Sequence, residues 1–161
     1  MAVKKLILDD FIDDVDYTLI AVHCSIEGYR LAYFLNKKLG LNLKRKREDI
    51  DLNTLAKYPI FEWEDMKQQV TWHLVSNVCR IEEVIQPQEN TLFHSQATRQ
   101  NTFYLIPEYK RVNYFLKIND DGLLSKNSKK TLSNIQEIPH IITAYNVDVD
   151  TIKSKNNLIF Y

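Results

Sequence analysis

From Tyr17 to His23 the chain reads Tyr-Thr-Leu-Ile-Ala-Val-His, apolar at nearly every position. A strand inside a sheet, covered on both faces, has this pattern because neither side can stay polar. Ser25 then offers its hydroxyl as a helix N-cap, with Glu27 in the favourable first turn. Tyr29, Leu31, Ala32, Tyr33, Phe34, Leu35 and Leu39 follow at helical spacing with a broad apolar face. Lys37 and Lys38 load the last turn, and Gly40 supplies the left-handed stop. Leu41 to Leu52 reads as an exposed extended segment leading into charge.

The middle of the chain switches to a period of two. Phe61 and Trp63 alternate with Glu62 and Glu64, and Val70, Trp72 and Leu74 alternate with Thr71 and His73. The residues from Glu64 to Gln68 can close a hairpin between these runs. Val78 to Ile85 reads as a continuation of the meander. Residues 86–101 are polar around Leu92 and Phe93 and read as a long loop. Phe103–Ile106 and Arg111–Ile118 are the next expected strands, with Val112, Tyr114, Leu116 and Ile118 on one face. Asn119-Asp120-Asp121-Gly122 is a turn sequence. Ser128 can cap a helix carrying Leu132, Ile135 and Ile138, which Pro139 ends before a strand from His140 to Val147. The tail, Asp148 to Tyr161, alternates like an edge strand, and the acidic residues 9–16 suggest a short turn or helix.

This order is β-α, then several antiparallel strands, then α-β. It predicts an α+β two-layer sandwich, a mostly antiparallel sheet with two helices on one face. A ferredoxin-like plan with an enlarged β-meander fits the order. With no repeat or dividing linker, residues 1–161 read as a single domain, able to bury roughly 70% of its unfolded surface.

Composition narrows the function. Lys plus Arg and Asp plus Glu number 21 each, so the net charge is zero. That removes the basic footprint expected of a nucleic-acid-binding domain and leaves little repulsion between copies. No apolar run approaches the length needed to cross a bilayer. The Leu6-Ile7-Leu8 triplet is shorter than a signal-peptide core. Cys24 and Cys79 lie apart in apolar surroundings, as reduced thiols do, and the expected compartment is the cytoplasm.

Most readable chemistry is missing. The three glycines, Gly28, Gly40 and Gly122, are far apart, so no phosphate-binding loop or nucleophile elbow can be assembled. No cofactor and no metal is implied. His23 and Cys24 point to opposite faces of a strand, and His73, Cys79, His94 and His140 would have to converge in space to form a metal site. A catalytic pair of Cys24 with His73 or His140 is the corresponding enzymatic possibility. Glu62 with Glu64, and Glu82 with Glu83, are carboxylates that read as a solvated face without an apolar pocket. Lys44, Arg45, Lys46 and Arg47 could contact a phosphate backbone. Glu48, Asp49 and Asp51 cancel most of their field, and an edge protected by charge is the simpler reading.

The run Ile106-Pro107-Glu108-Tyr109-Lys110-Arg111-Val112-Asn113-Tyr114 is the most distinctive. Pro107 fixes its φ and pushes Ile106 toward an extended conformation. Glu108 is placed to accept from the turn's backbone N–H groups or to pair with Lys110 or Arg111, and Val112 and Tyr114 bury the next strand. The run therefore reads as a hairpin corner. The functional alternative is a docking edge displaying Glu108, Tyr109, Arg111 and Asn113. These residues resemble the signature of the IPExxxVDY family, small Bacteroidetes proteins with no assigned activity. Asn113 stands where that signature has Asp, so a general base carried by the family's Asp would be absent here. The resemblance implies a compact α/β protein and brings no catalytic residues.

The sequence thus points to a non-enzymatic interaction or regulatory domain in the cytoplasm. Its expected partner is another protein or its own copy, met through a sheet edge or helix face; nucleic acid and membrane are not expected. The alternatives are a small enzyme or ligand-binding protein with a pocket near residues 86–101, and RNA binding through residues 44–47.

Overall fold

The computed structural model describes residues 17–52, 55–86, 97–120 and 128–160. The acidic segment 9–16, His94 and most of the polar stretch around it, and the Asp121-Gly122 end of the expected turn lie outside the described residues. The elements run β1 (Tyr17–Cys24), α1 (Gly28–Leu39), β2 (Lys44–Arg45), β3 (Ile50–Asp51), β4 (Lys57–Tyr58), β5 (Ile60–Asp65) and β6 (Val70–Ser76). They continue with β7 (Val78–Ile85), β8 (Ala97–Tyr104), β9 (Tyr114–Asn119), α2 (Ser128–Gln136) and β10 (Ile141–Asn146).

Six strands form one antiparallel sheet in the order β10-β1-β9-β6-β5-β2. β1 lies inside it, between β9 and β10, as its unbroken apolar run requires. Ile20 and Val22 face one side with Trp72, Leu74, Leu116 and Ile118, and there they meet Leu31 and Leu35 of α1 and Ile135 of α2. The α+β architecture is therefore the expected one, with both helices on one face.

The opposite face is equally dry. Leu19, Ala21, Phe115, Val75 and Ile60 form a second core, covered by Leu105, Ile106, Val112, Val147, Ile152 and Leu158. Among the described residues the cover contains no α-helix. It is built from the distinctive run, from Ala56 and Tyr58 around β4, and from the C-terminal tail, which forms 3₁₀ turns at Val149–Thr151 and Lys155–Leu158 instead of the expected edge strand. The alternation in the tail reflects residues plugging the sheet from below.

Three other expectations are corrected. α1 begins at Gly28 with Glu27 as its N-cap, whose side chain makes no capping hydrogen bond. Ser25 lies too early to reach the first turn. Tyr29 and Tyr33 of the expected apolar face are exposed, because the buried stripe is the narrower set Leu31, Ala32 and Leu35. β7 leaves the meander after Asn77 and pairs with β8 in a separate two-stranded ribbon. Residues 97–101 are therefore strand, and their lack of alternation has a simple cause: water lies on both sides.

Other local signals act as read. Asp65 Oδ1 accepts from the N–H groups of Lys67 and Gln68, closing the β5–β6 hairpin. Gly40 ends α1 at φ 68°, a left-handed conformation where a Cβ is strained although space is open. Gly40→Ala should cost about 1 kcal/mol on this backbone ground alone. Thermal unfolding of the variant measures it, and an unchanged midpoint would contradict the assignment.

Candidate functional site

The distinctive run is not a hairpin corner. β8 and β9, on either side of it, do not pair with one another; β8 pairs with β7 and β9 lies at the sheet's centre. The run is a crossover under the second core, with Pro107–Tyr109 in a 3₁₀ turn. Val112 belongs to that second core, whereas Tyr114, Leu116 and Ile118 face the helices.

Asn77 holds the crossover in place. Its side chain is fully buried at the bend between β6 and β7. Nδ2 donates to the carbonyls of Tyr109 and Val112 at 2.8 and 2.9 Å, and Oδ1 accepts from the Ile106 N–H at 2.8 Å. Its backbone adds bonds to Leu105 and Asn113. The amide thus satisfies three main-chain groups that the absence of a β-ladder leaves open.

Three of the four residues expected to meet a partner make contacts within the fold. Glu108 accepts from the backbone N–H and the hydroxyl of Ser154, at 2.8 and 2.9 Å to its nearer oxygens, and so fastens the C-terminal tail. Burial alone would raise its carboxyl pKa, but backbone and Ser154 hydrogen bonds bring it below the usual value. Tyr109 packs edge-on against Phe115. Asn113 Oδ1 accepts from the Cys24 N–H at 3.0 Å, at the bulge that ends β1. Arg111 is exposed. The bond from Cys24 needs an acceptor oxygen, which Asn and Asp both supply.

A row of polar side chains crosses the sheet on the tail-covered face. Register places Glu62 opposite His73 and His73 opposite Lys117. His73 Nε2 lies 2.8 Å from Glu62 Oε2, and Lys46 Nζ reaches the same oxygen at 3.1 Å. These two hydrogen bonds overcome burial and lower the Glu62 carboxyl pKa. Burial lowers that of His73, against the pull of Glu62 and with the charges of Lys117 and Lys46. Lys117 Nζ donates to the Leu158 carbonyl at 2.7 Å, over the rings of Tyr17 and Phe160. The row ties the tail to the sheet.

The four basic residues are divided by the edge strand β2. Arg45 pairs with Asp49 and lies over Phe61, and Lys46 pairs with Glu62. Lys44 and Arg47 are exposed. Two of the four charges are thus held by carboxylates, which weakens a continuous phosphate track.

The cysteines and histidines stay separate. Cys24 faces the helix-side core, His73 the tail-side core. His140 stacks on Phe34 with centroids 4.8 Å apart, and His23 Nε2 lies 3.2 Å from the Tyr145 hydroxyl. Among the described residues no group of three His, Cys, Asp or Glu side chains is placed to hold a metal ion. No helix among them is long and apolar enough to cross a membrane.

A cleft of about 490 Å³ opens at the base of the β7–β8 ribbon, lined among others by Cys24, Ser25, Val78, Arg80, Tyr114 and Ile142. Two of its groups, the Cys24 thiol and the Tyr114 phenol, are shifted toward their protonated forms. Burial pushes the Cys24 thiol up, against one backbone hydrogen bond from Ile26. Burial, then the charges of Cys24 and Glu27, push the Tyr114 phenol up to about 12, and its hydroxyl donates to the Ile26 carbonyl. A protonated thiol is not a nucleophile.

Beyond the cleft the ribbon stands in water. From Glu82 to Ile85 and from Ala97 to Gln100 every residue is exposed, with Val84 at 61% and Ile85 at 49%. Sequence reading placed a strand at Val78–Ile85 but missed its partner β8, because the polar residues 97–101 imitate a loop. No family model, no curated protein and no solved structure matches the chain.

Proposed function

We propose that the chain is a non-enzymatic protein-interaction domain of the cytoplasm that engages its partner through the β7–β8 ribbon. The carrying observation is the ribbon itself, exposed on both faces over its outer half and ending in Val84 and Ile85. A two-stranded hairpin with no sheet beneath it is marginal in water, and a partner strand completes it. The cleft chemistry agrees, since a thiol and a phenol held protonated are poor nucleophiles.

The ferredoxin-like plan and the kinship with the IPExxxVDY family belong to the same proposal. The order β10-β1-β9-β6, with α1 after β1 and α2 before β10, supports the first. The second rests on Ile106 to Tyr114, which here serve the scaffold and its tail.

A benzophenone amino acid placed at Val84 and illuminated in cells of the source organism tests the reading. A covalent adduct of higher mass is the expected result. A folded variant that forms no adduct at all overturns the interaction role of the ribbon.

A further inference from the structure

The ribbon has one strand whose outer edge can be read residue by residue. Asn77 accepts from the Leu105 N–H, and the register pairs Val78 with Tyr104. Hydrogen-bonded and non-bonded pairs alternate along an antiparallel ladder. Cys79, Ile81, Glu83 and Ile85 therefore turn their backbone groups toward β8. Val78, Arg80, Glu82 and Val84 turn theirs away from it. A second contact agrees: the Val78 carbonyl accepts from the Ser76 hydroxyl at 2.9 Å, outside the ladder. The groups of Arg80, Glu82 and Val84 point outward along an edge that pairs with no strand among the described residues.

Charges decide what fits that edge. In an antiparallel pairing of two identical strands, opposed residues share a face of the joint sheet. Centring the pairing on Ile81 sets Arg80 against Glu82 of the second copy, twice. The same register sets Val78 against Val84 on that face and Ile81 against Ile81 on the other. Centring on Arg80, Glu82 or Glu83 instead sets like charges directly opposite each other, which is destabilising. Arg80 and Glu82 are also the residues whose N–H and C=O groups point outward, so each opposed pair can exchange both main-chain bonds.

Resting on the reading of the ribbon as an interaction element, we infer that its partner is a second copy of this chain, joined β7 to β7 antiparallel about Ile81. The result is a four-stranded sheet, β8-β7-β7-β8, with the two cores at opposite ends. Val84 of the second copy then reaches Val78, at the cleft that Ile142 also lines. Zero net charge opposes no such approach.

Two single charge reversals test this. Light scattering of the wild type should show a dimer. Arg80→Glu and Glu82→Arg should each weaken self-association by on the order of tenfold or more, since each puts like charges together at both symmetric positions. An equimolar mixture of the two variants restores opposite charges at both positions and should return the dimer. Glu82→Pro removes an outward N–H while sparing the ladder to β8, and should also give a monomer.

A monomeric wild type, variants that dimerise like the wild type, or a mixture that stays monomeric overturns the inference. Circular dichroism of each variant separates lost pairing from lost folding. The Val84 adduct keeps the two readings apart. An adduct with a different chain, beside a monomeric wild type, leaves the ribbon's role standing and removes the second copy. No adduct removes both.

Discussion

Replacing Asn77 by alanine is expected to lower the unfolding free energy by about 3–5 kcal/mol, near the upper end for one side chain. Three main-chain groups lose their partner at once: the Ile106 N–H and the carbonyls of Tyr109 and Val112. A buried group left without a partner costs about 1–3 kcal/mol. Solvent at the half-buried Tyr109 recovers part of the loss, which keeps the total below the simple sum. Asn77→Asp should be worse near neutral pH, since a carboxylate would face two carbonyls where the amide donates. Urea unfolding of both variants measures these effects. A loss under 1 kcal/mol for alanine would mean that the crossover is held by its apolar residues alone. The substitution leaves the ribbon's outer edge chemically unchanged, so weakened association by folded Asn77→Ala would reflect the ribbon's mounting.

β1 and α1 could be read from residues because β1 is covered on both faces and α1 buries a stripe at helical spacing, and burial writes itself as a pattern. Gly40 was legible for a local reason, a left-handed stop. Of the ribbon, Val78–Ile85 was read as a strand, but its pairing with β8 was not, because periodicity needs one dry face and the two strands have none beyond Cys79 and Phe103. Asn77 was invisible for a different reason. Its partners lie 29, 32 and 35 residues away, and nothing in Ser-Asn-Val distinguishes a clamp from a surface bend. Glu108 was recognised as an acceptor, but its donor Ser154 is 46 residues downstream. Lys117, one cation in an apolar strand, was not singled out. What it faces depended on register, which period-two patterning leaves open between neighbouring strands.

Lys117 carries the second large effect. It is 6% exposed and is held by the Leu158 carbonyl and the faces of Tyr17 and Phe160, 4.6 and 5.1 Å from the ring centroids. The Glu62 carboxylate lies two strands away, where Lys46 and His73 engage it. Burial pushes the Lys117 amine down from its ordinary 10.5 to about 8. Between those values the unfolded chain keeps a proton that the folded chain has released, so stability rises with pH. At 1.36 kcal/mol per pH unit the full gain is roughly 3 kcal/mol, complete above 10.5 and lost as pH falls through 8. Cys24, Tyr17, Tyr58, Tyr114 and Tyr145 are shifted upward and act in the opposite sense as pH rises. Lys117→Met isolates the amine from them, since their contributions cancel in the difference between the two proteins. Wild-type stability relative to Lys117→Met should climb by roughly 3 kcal/mol from pH 8 to 10.5, measured by guanidinium unfolding. A difference that stays flat across that window would show that the amine is hydrated and the tail does not seal it. His73, shifted downward by burial, has the same sign on the acid side: stability falls as pH drops below 6.5. Both groups prefer to take up their protons in water, so acid favours the state in which Leu158 and Phe160 have left the sheet.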